Sequence, residues 1–281
     1  MADFHGQLAL RAAARVDDGV TTLASQAFRA PFHLSKPYWD ADTRTLLVQV
    51  VNPTAGILSG DRLESSVTVG PGAAVLLTTP SASRVFRMRS GAARSVQTFH
   101  VAPGGWLEVL PEPLVPHRGS VFHQHTTLDV APGGAAFYAD LLFPGRIAHG
   151  EAWAWSRLVL ELEVRSAGAL LLRERLDQSA EHLRALAELA GAGESACFGN
   201  AVFIPPALAF PATASAPAWR DELHALQTEG IWIGASPLHA GAAWSVKFVT
   251  PDPVLLRRTL AAIRRLLTAA APHLACDARK L

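Results

Sequence analysis

The chain has 281 residues, of which 49% are hydrophobic and 17% charged, with a formal net charge of +1. That composition supplies a sizeable core, and the small charge offers neither the basic field of a nucleic-acid binder nor an acidic tail. The only two cysteines, Cys197 and Cys276, stand far apart and outside any CxxC or Cys/His spacing, which argues for a reducing compartment and against a structural zinc site.

The first residues, Met-Ala-Asp-Phe-His-Gly-Gln, lack the basic patch and apolar core of a signal peptide. No stretch approaches the roughly twenty apolar residues that span a bilayer, so a cytoplasmic protein without membrane attachment is expected. Alternation and β-branched content predict strands over 7–11, 22–26 and 45–51, with Ser35-Lys-Pro37 as a break. Asn52–Asp61 is the most loop-like segment. Asp61 follows Gly60 directly before a strand, where an Asp is ordinarily a turn former. It is not a phosphate loop, because neither Gly-Lys-Ser/Thr nor a following helix accompanies it.

From about residue 63 to 175 a strand–turn–strand unit recurs roughly every thirty residues. It reads Val67-Thr-Val-Gly-Pro-Gly-Ala73, Phe99-His-Val-Ala-Pro-Gly-Gly105 and Leu128-Asp-Val-Ala-Pro-Gly-Gly134, with a worn copy at Leu162-Glu-Val-Arg-Ser-Ala-Gly168. Pro fixes φ and Gly permits the left-handed region that a tight turn requires. Units of this length stack on copies of themselves, which predicts a mainly β, layered, helix-like architecture.

The polar residues of the stack are few. Thr78-Thr79 opens a hydroxylic loop that runs through Ser83 to Arg84, Phe86 and Arg87, read locally as an irregular loop with a basic surface. Asp140 interrupts the apolar run Phe137–Phe143, where a carboxylate must be paired or face water. Gly145-Arg146 and Gly150-Glu151 follow, and Glu174 lies between Arg173 and Arg175 in the fourth copy. Eight residues past Pro71, Pro103, Pro132 and Ala167 stand Thr79, Pro111, Asp140 and Arg175. Stacked turns would therefore bring Asp140 and Glu174 together on successive layers. Inward carboxylates imply hydration or cation binding. A carboxylate-dependent hydrolase would use similar residues, but no nucleophile elbow or HExxH completes one. A β-stack interaction module without a metal role is the third reading. His123 and His125 share one strand face near His117, an arrangement more common on a solvated face than at a metal.

After residue 177 the composition turns helical. Asp177–Ala190 predicts a helix with Leu183, Leu186 and Leu189 or Ala190 apolar, stopped by Gly191. A shorter helix is expected over 219–227, and Phe203-Ile-Pro-Pro206 reads as irregular or an edge strand. Strands at 231–233 and 244–249 precede the clearest helix. Asp252 is its N-cap, Pro253 its first residue, and Leu255, Leu256, Leu260, Ile263, Leu266 and Leu267 its apolar stripe. Arg257, Arg258, Arg264 and Arg265 occupy the remaining surface and read as solvated. One domain over 1–281 is expected, the helix-containing part 177–281 packing on the stack.

In this order these segments resemble the urease accessory protein D family (UreD, also called UreH). Asn52–Asp61 matches its Pro/Gly-rich stretch ending in Gly-Asp, and Thr78, Thr79, Ser83, Arg84, Phe86 and Arg87 match its Thr-Thr…Arg segment. Leu107–Pro111, Gly145-Arg146 with Gly150-Glu151, Gly234-Ala-Ser236 and Val246-Lys-Phe248 follow in the family order. Departures are Thr54-Ala-Gly56 and Ser59-Gly60 for paired glycines, Pro80 for Gln and Phe86 for Tyr. The resemblance covers essentially the whole chain. It implies a non-enzymatic chaperone for nickel insertion into urease. Such a chaperone would work with a helical UreF-type accessory protein, a nickel-carrying UreG-type GTPase and apo-urease. It further implies passage of nickel through a water-filled interior, along positions that correspond to Asp61, Ser83, Asp140 and Glu174. Nickel would be in transit, touching Asp61, Asp140 and Glu174 weakly, with no permanent cofactor or closed metal site. Oxygen ligands suit that role better than a nitrogen/sulfur cage, which would trap the ion.

Overall fold

At each Pro-Gly turn the chain passes from one sheet to another, and that habit builds the architecture. The computed structural model describes residues 5–206, 219–238, 243–269, 271 and 276–278. The first strands are β1 (His5–Ala14), β2 (Thr21–Arg29), β3 (His33–Leu34), β4 (Tyr38–Trp39) and β5 (Leu46–Val51). The stack continues as β6 (Arg62–Val69), β7 (Ala74–Thr78), β8 (Ser83–Val85), β9 (Ala93–Val101), β10 (Trp106–Leu110) and β11 (Leu114–Pro116). Next come β12 (Val121–Val130), β13 (Ala135–Leu142), β14 (Gly145–Arg146), β15 (Glu151–Ala152), β16 (Arg157–Ser166) and β17 (Ala169–Gln178). Helix α1 (Ala180–Leu189), β18 (Cys197–Ile204), α2 (Trp219–Ala225), β19 (Trp232–Pro237), β20 (Trp244–Thr250) and α3 (Pro253–Thr268) complete the order.

A first sheet runs β17-β16-β12-β9-β6-β1-β2, and its five middle strands are parallel. A second runs β19-β20-β18-β13-β10-β7-β5-β3, with β5, β7, β10 and β13 parallel. The fold is thus mainly β and solenoid-like, as the repeat predicts. Gly72, Gly104 and Gly133 take φ of 66°, 71° and 81° after their prolines, and each turn closes on a backbone bond such as Gly134 N–H to Ala131 O at 2.8 Å. The turns also bond to one another: Ala102 N–H donates to Val69 O and Ala131 N–H to Val101 O, both at 2.9 Å. The glycine that ends the second and third turns serves the stacking. A Cβ on Gly134 would lie 2.8 Å from Ala102 O of the layer before.

The fourth copy behaves differently. Ala167 and Gly168 both have positive φ, 50° and 78°, the signature of a two-residue hairpin loop of the I′ type. The chain therefore stays in the first sheet, and β17 pairs antiparallel with β16. The strand that lies beside β13 in the second sheet is β18, which runs antiparallel to it. Glu174 consequently does not stack above Asp140 on a successive layer. It faces the second sheet from across the interior.

Apolar side chains fill two main spaces. Between the sheets, Leu10, Val67, Phe99, Leu128 and Val164 of the first meet Val75, Leu107, Ala136 and Val202 of the second. On the outer face of the second sheet, Leu256, Leu260, Ile263 and Leu267 of α3 cover Trp106, Phe137, Phe203 and Phe248. The predicted cap is present: the Asp252 carboxylate accepts from Val254 and Leu255 N–H at 2.7 and 2.8 Å.

Three expectations are corrected. Phe203 and Ile204 end an interior strand between β13 and β20, because Pro205 and Pro206 lie just beyond its last ladder bond. Helix α1 begins at Ala180 behind the N-cap Ser179, while Asp177 remains in β17, paired with Arg157 at 3.0 Å. Its buried face is Ala180, Leu183 and Ala187, so Leu186 and Leu189 are exposed. Lastly, the arginines of α3 are not uniformly solvated. Arg264 reaches Glu108, a fully buried carboxylate on β10, and Arg257 reaches Glu112, both at 2.6 Å. Among the described residues no helix is long and apolar enough to cross a membrane.

Candidate functional site: a polar belt between the sheets

Alternation points Leu8, Ser65, Gln97, Thr126, Leu162 and Glu174 of the first sheet inward on one row, as the strand registers set. The neighbouring row carries Ser95 and Gln124. Apolar rows close the interior beside them, so the polar side chains form a belt. The second sheet answers with a row of its own, Asp140, Asn200 and Lys247, on three adjacent strands.

Hydrogen bonds join the two sets. Tyr138 Oη donates to Asp140 Oδ2 at 2.5 Å and lies 3.5 Å from Thr126 Oγ1. Asn200 Nδ2 donates to Glu174 Oε2 at 3.1 Å, and Lys247 Nζ pairs with Glu174 Oε1 at 2.5 Å. Gln97 Nε2 donates to Gln124 Oε1 at 3.5 Å. A cavity of about 670 Å³ lies against this belt, with Gln97, Gln124, Tyr138, Asp140, Asn200 and Lys247 in its wall.

Asp140 keeps accessible surface, yet that surface faces the cavity. Burial is the main cause that pushes its carboxyl up from 3.8 to about 6, against the bonds from Tyr138 and Gln124 that hold it down; Glu174 adds to the rise and Lys247 opposes it. Burial first, then the Asp140 charge, holds the Tyr138 phenol well above its usual range, so it remains a donor. A carboxyl raised on folding contributes stability that is complete below its unfolded value and is lost as pH rises through about 6. Asp140→Asn should therefore raise stability by about 3 kcal/mol at pH ~7.5 and by only about 1 kcal/mol at pH ~4.5. Chemical unfolding at the two pH values tests this, and an equal change at both would show an unperturbed carboxyl.

The other sequence-selected residues distribute around this belt. Ser83, Thr78, Thr79 and Arg84 also line the cavity. Thr78 and Thr79 bond the next layer, through Thr78 Oγ1 to Leu110 O and Glu112 N–H to Thr79 Oγ1. Asp61 is only 4% exposed and is not in the cavity wall; its Oδ2 accepts from Leu58 N–H at 2.8 Å in the turn that Gly60 enters with φ 84°. Phe86 packs edge-on against the buried His117 ring at 4.7 Å. Arg87 is exposed and lies over Gly119. Arg146 and Glu151 pair bidentately at 2.7 and 3.0 Å across the β14–β15 hairpin, whose turn includes Gly150. His123 and His125 lie on the outer face of the first sheet, away from the cavity, and His125 sits 3.5 Å from Glu161.

Sequence reading missed Gln97, Gln124, Thr126, Tyr138 and Asn200. A signal existed for the first three, since polar residues at inward positions of alternating strands break the apolar row. Asn200 had none, because its inward position follows from its pairing with Asp140.

The family model of UreD urease accessory proteins matches residues 5–280. A urease accessory protein UreD of Opitutus terrae is 58% identical over 99% of this chain and 100% of its own length. A UreD of Haloarcula marismortui is 32% identical over 88% of this chain and 80% of its own, and a UreD 2 of Streptomyces griseus 31% identical over 90% and 87%.

Proposed function

Because the chain belongs to the UreD urease accessory protein family and its role lies in urease maturation, we propose that it acts without catalysis, as scaffold and nickel conduit for the urease active site. The observation that carries this reading is the cavity against the inter-sheet belt, whose donors are oxygens: the Asp140 carboxylate, the amide oxygens of Gln97 and Gln124, and Glu174 beyond Asn200 and Lys247. A divalent ion that must leave again needs ligands it can exchange, and isolated oxygen donors meet that need where several imidazoles or thiolates would hold nickel. Near neutral pH Asp140 is mostly ionised, so a carboxylate charge is available to the passing ion. The Lys247 ammonium offsets part of the Glu174 charge, which keeps the belt from becoming a deep well for cations.

In this reading the chain works in the cytoplasm, held between a helical UreF-type accessory protein with its nickel-carrying UreG-type GTPase and apo-urease. Ser83 and Asp140 lie on the path, Glu174 shapes its charge, and Asp61 acts by holding the loop before β6. The double variant Asp140→Ala/Glu174→Ala should lower nickel incorporation into urease at least about tenfold, while recovery of the helical partner stays unchanged. Nickel content of purified urease is the readout. Full incorporation with the double variant would remove the conduit and leave only the scaffold.

A further inference from the structure

On the first sheet and its neighbouring hairpins Arg15, Arg146, Arg157, Arg165, Arg173 and Arg175 are ion-paired, whereas among the described residues the exposed Arg11 on β1 and Arg29 on β2 stand singly without a carboxylate. The edge of the stack opposite the Pro-Gly turns is different. Arg62, Arg84, Arg87, Arg89, Arg94 and Arg118 are all exposed there, and among the described residues none has a carboxylate in ion-pair range.

These six are neighbours. Arg62 and Arg94 stand directly opposite on β6 and β9. Ser59 Oγ bonds Ser90 O and so ties the loop that carries Arg89 to the loop that leads into Arg62. Arg87 covers Gly119, next to Arg118, because β8 pairs with β11 in the register Arg84 to Val115. The nearby carboxylates have closer partners: Asp61 in its turn, Glu64 with His5, Glu112 with Arg257 and Glu151 with Arg146. Arg62 and Arg118 therefore act on Glu64 and Glu151 only from beyond ion-pair distance, and Arg118 Nη2 donates to Gly150 O at 2.9 Å.

Like charges directly across a ladder are unfavourable, so folding does not call for Arg62 beside Arg94. A local positive field on a chain whose formal net charge is only +1 is a device for association. The cations are all arginines, whose planar forks bind carboxylates bidentately. Two large exposed apolar side chains lie here, Val96 on the strand of Arg94 and Ile147 in the turn that Arg118 bonds, and the described segments 59–62, 84–94 and 117–119 carry no exposed Phe, Tyr or Trp to stack a nucleobase. We propose that this edge is a docking surface for an acidic segment of a partner protein. Because Arg84 also lines the cavity, a segment seated there would lie beside the cavity wall. The inference does not depend on nickel passage.

The test is fluorescence anisotropy of a labelled decaglutamate peptide with the full chain. Binding should be measurable at about 50 mM salt and should weaken at least about tenfold at about 200 mM. Arg87→Glu/Arg94→Glu should weaken it by a similar factor, and Arg87→Gln/Arg94→Gln by less, while the thermal transition is retained. Arg258→Glu/Arg265→Glu makes the same change in net charge on α3, where both residues are exposed and, among the described residues, without an ion pair, and should leave binding unchanged. No binding by the unmodified chain, equal losses in the two glutamate pairs, or tighter binding of an oligothymidylate of equal length would each overturn the proposal.

Discussion

Replacing Arg264 with Met should destabilise the protein by about 3–5 kcal/mol, although its place on α3 reads as a solvated face. Arg264 Nε and Nη2 donate to the two oxygens of Glu108 at 3.1 and 2.6 Å, and Nη2 also donates to Cys276 O at 2.9 Å. Glu108 has no exposed surface and lies under the helix on β10, so loss of its partner leaves a buried anion without compensation. Burial already pushes the Glu108 carboxyl up, with Arg264 opposing that rise. Without Arg264 the rise is unopposed, and a raised carboxyl contributes stability below its unfolded value that is lost as pH increases. The Met variant should therefore approach the parent protein in acid and fall furthest behind above neutrality. Glu108→Leu/Arg264→Met should recover most of the loss, because removing both charges leaves nothing buried and unpaired. Arg258→Ala, on the exposed side of the same helix, should change stability by less than about 0.5 kcal/mol. Urea unfolding of these variants beside the parent decides the matter. A loss below about 1 kcal/mol for Arg264→Met would mean that water reaches Glu108.

Gly145→Ala should cost at least about 3 kcal/mol, against about 1 kcal/mol for Gly150→Ala, although the two glycines belong to the same sequence motif. Gly145 sits at φ +118°, and a Cβ there would collide with Glu151 O and lie 3.0 Å from Pro116 O. Both obstacles are backbone, which cannot rotate away. Gly150 has φ +64°, and a methyl group added there would meet nothing within 4 Å, so only the left-handed conformation opposes alanine. The contrast separates two reasons for glycine in one short hairpin. It also places Gly145, Arg146, Gly150 and Glu151 in holding the crossover after β13, since the Arg146–Glu151 pair spans that hairpin. Similar losses for both substitutions, measured by thermal unfolding, would mean that the hairpin shifts to make room.

Much of the architecture was legible because its causes are local. Pro-Gly at a fixed spacing, with alternating apolar residues on either side, dictates a turn and two strands wherever it occurs, and copies of one unit bury their apolar rows only by stacking. The cap at Asp252 is equally local, since one side chain satisfies the first amides of its own helix. The carboxylates of the belt were legible as unusual residues in apolar runs, but their meeting was deduced from the wrong layer. Glu174 reaches Asn200 and Lys247 because the fourth turn folds as a hairpin and keeps β17 in the first sheet. One residue more and a lost Pro-Gly distinguish that turn from its three predecessors, and the resulting change of partner is a matter of long-range pairing.

The sequence by itself thus determined the layers, the helix ends and the short set of polar residues inside an apolar stack, since each follows from turn chemistry, side-chain period or the cost of burying charge. Tertiary structure alone decided that Asp140 and Glu174 face one another across two sheets, that Arg264 is half of a buried pair and that six arginines share an edge. Those facts depend on which distant strands lie side by side, and neither propensity nor spacing carries that information along the chain.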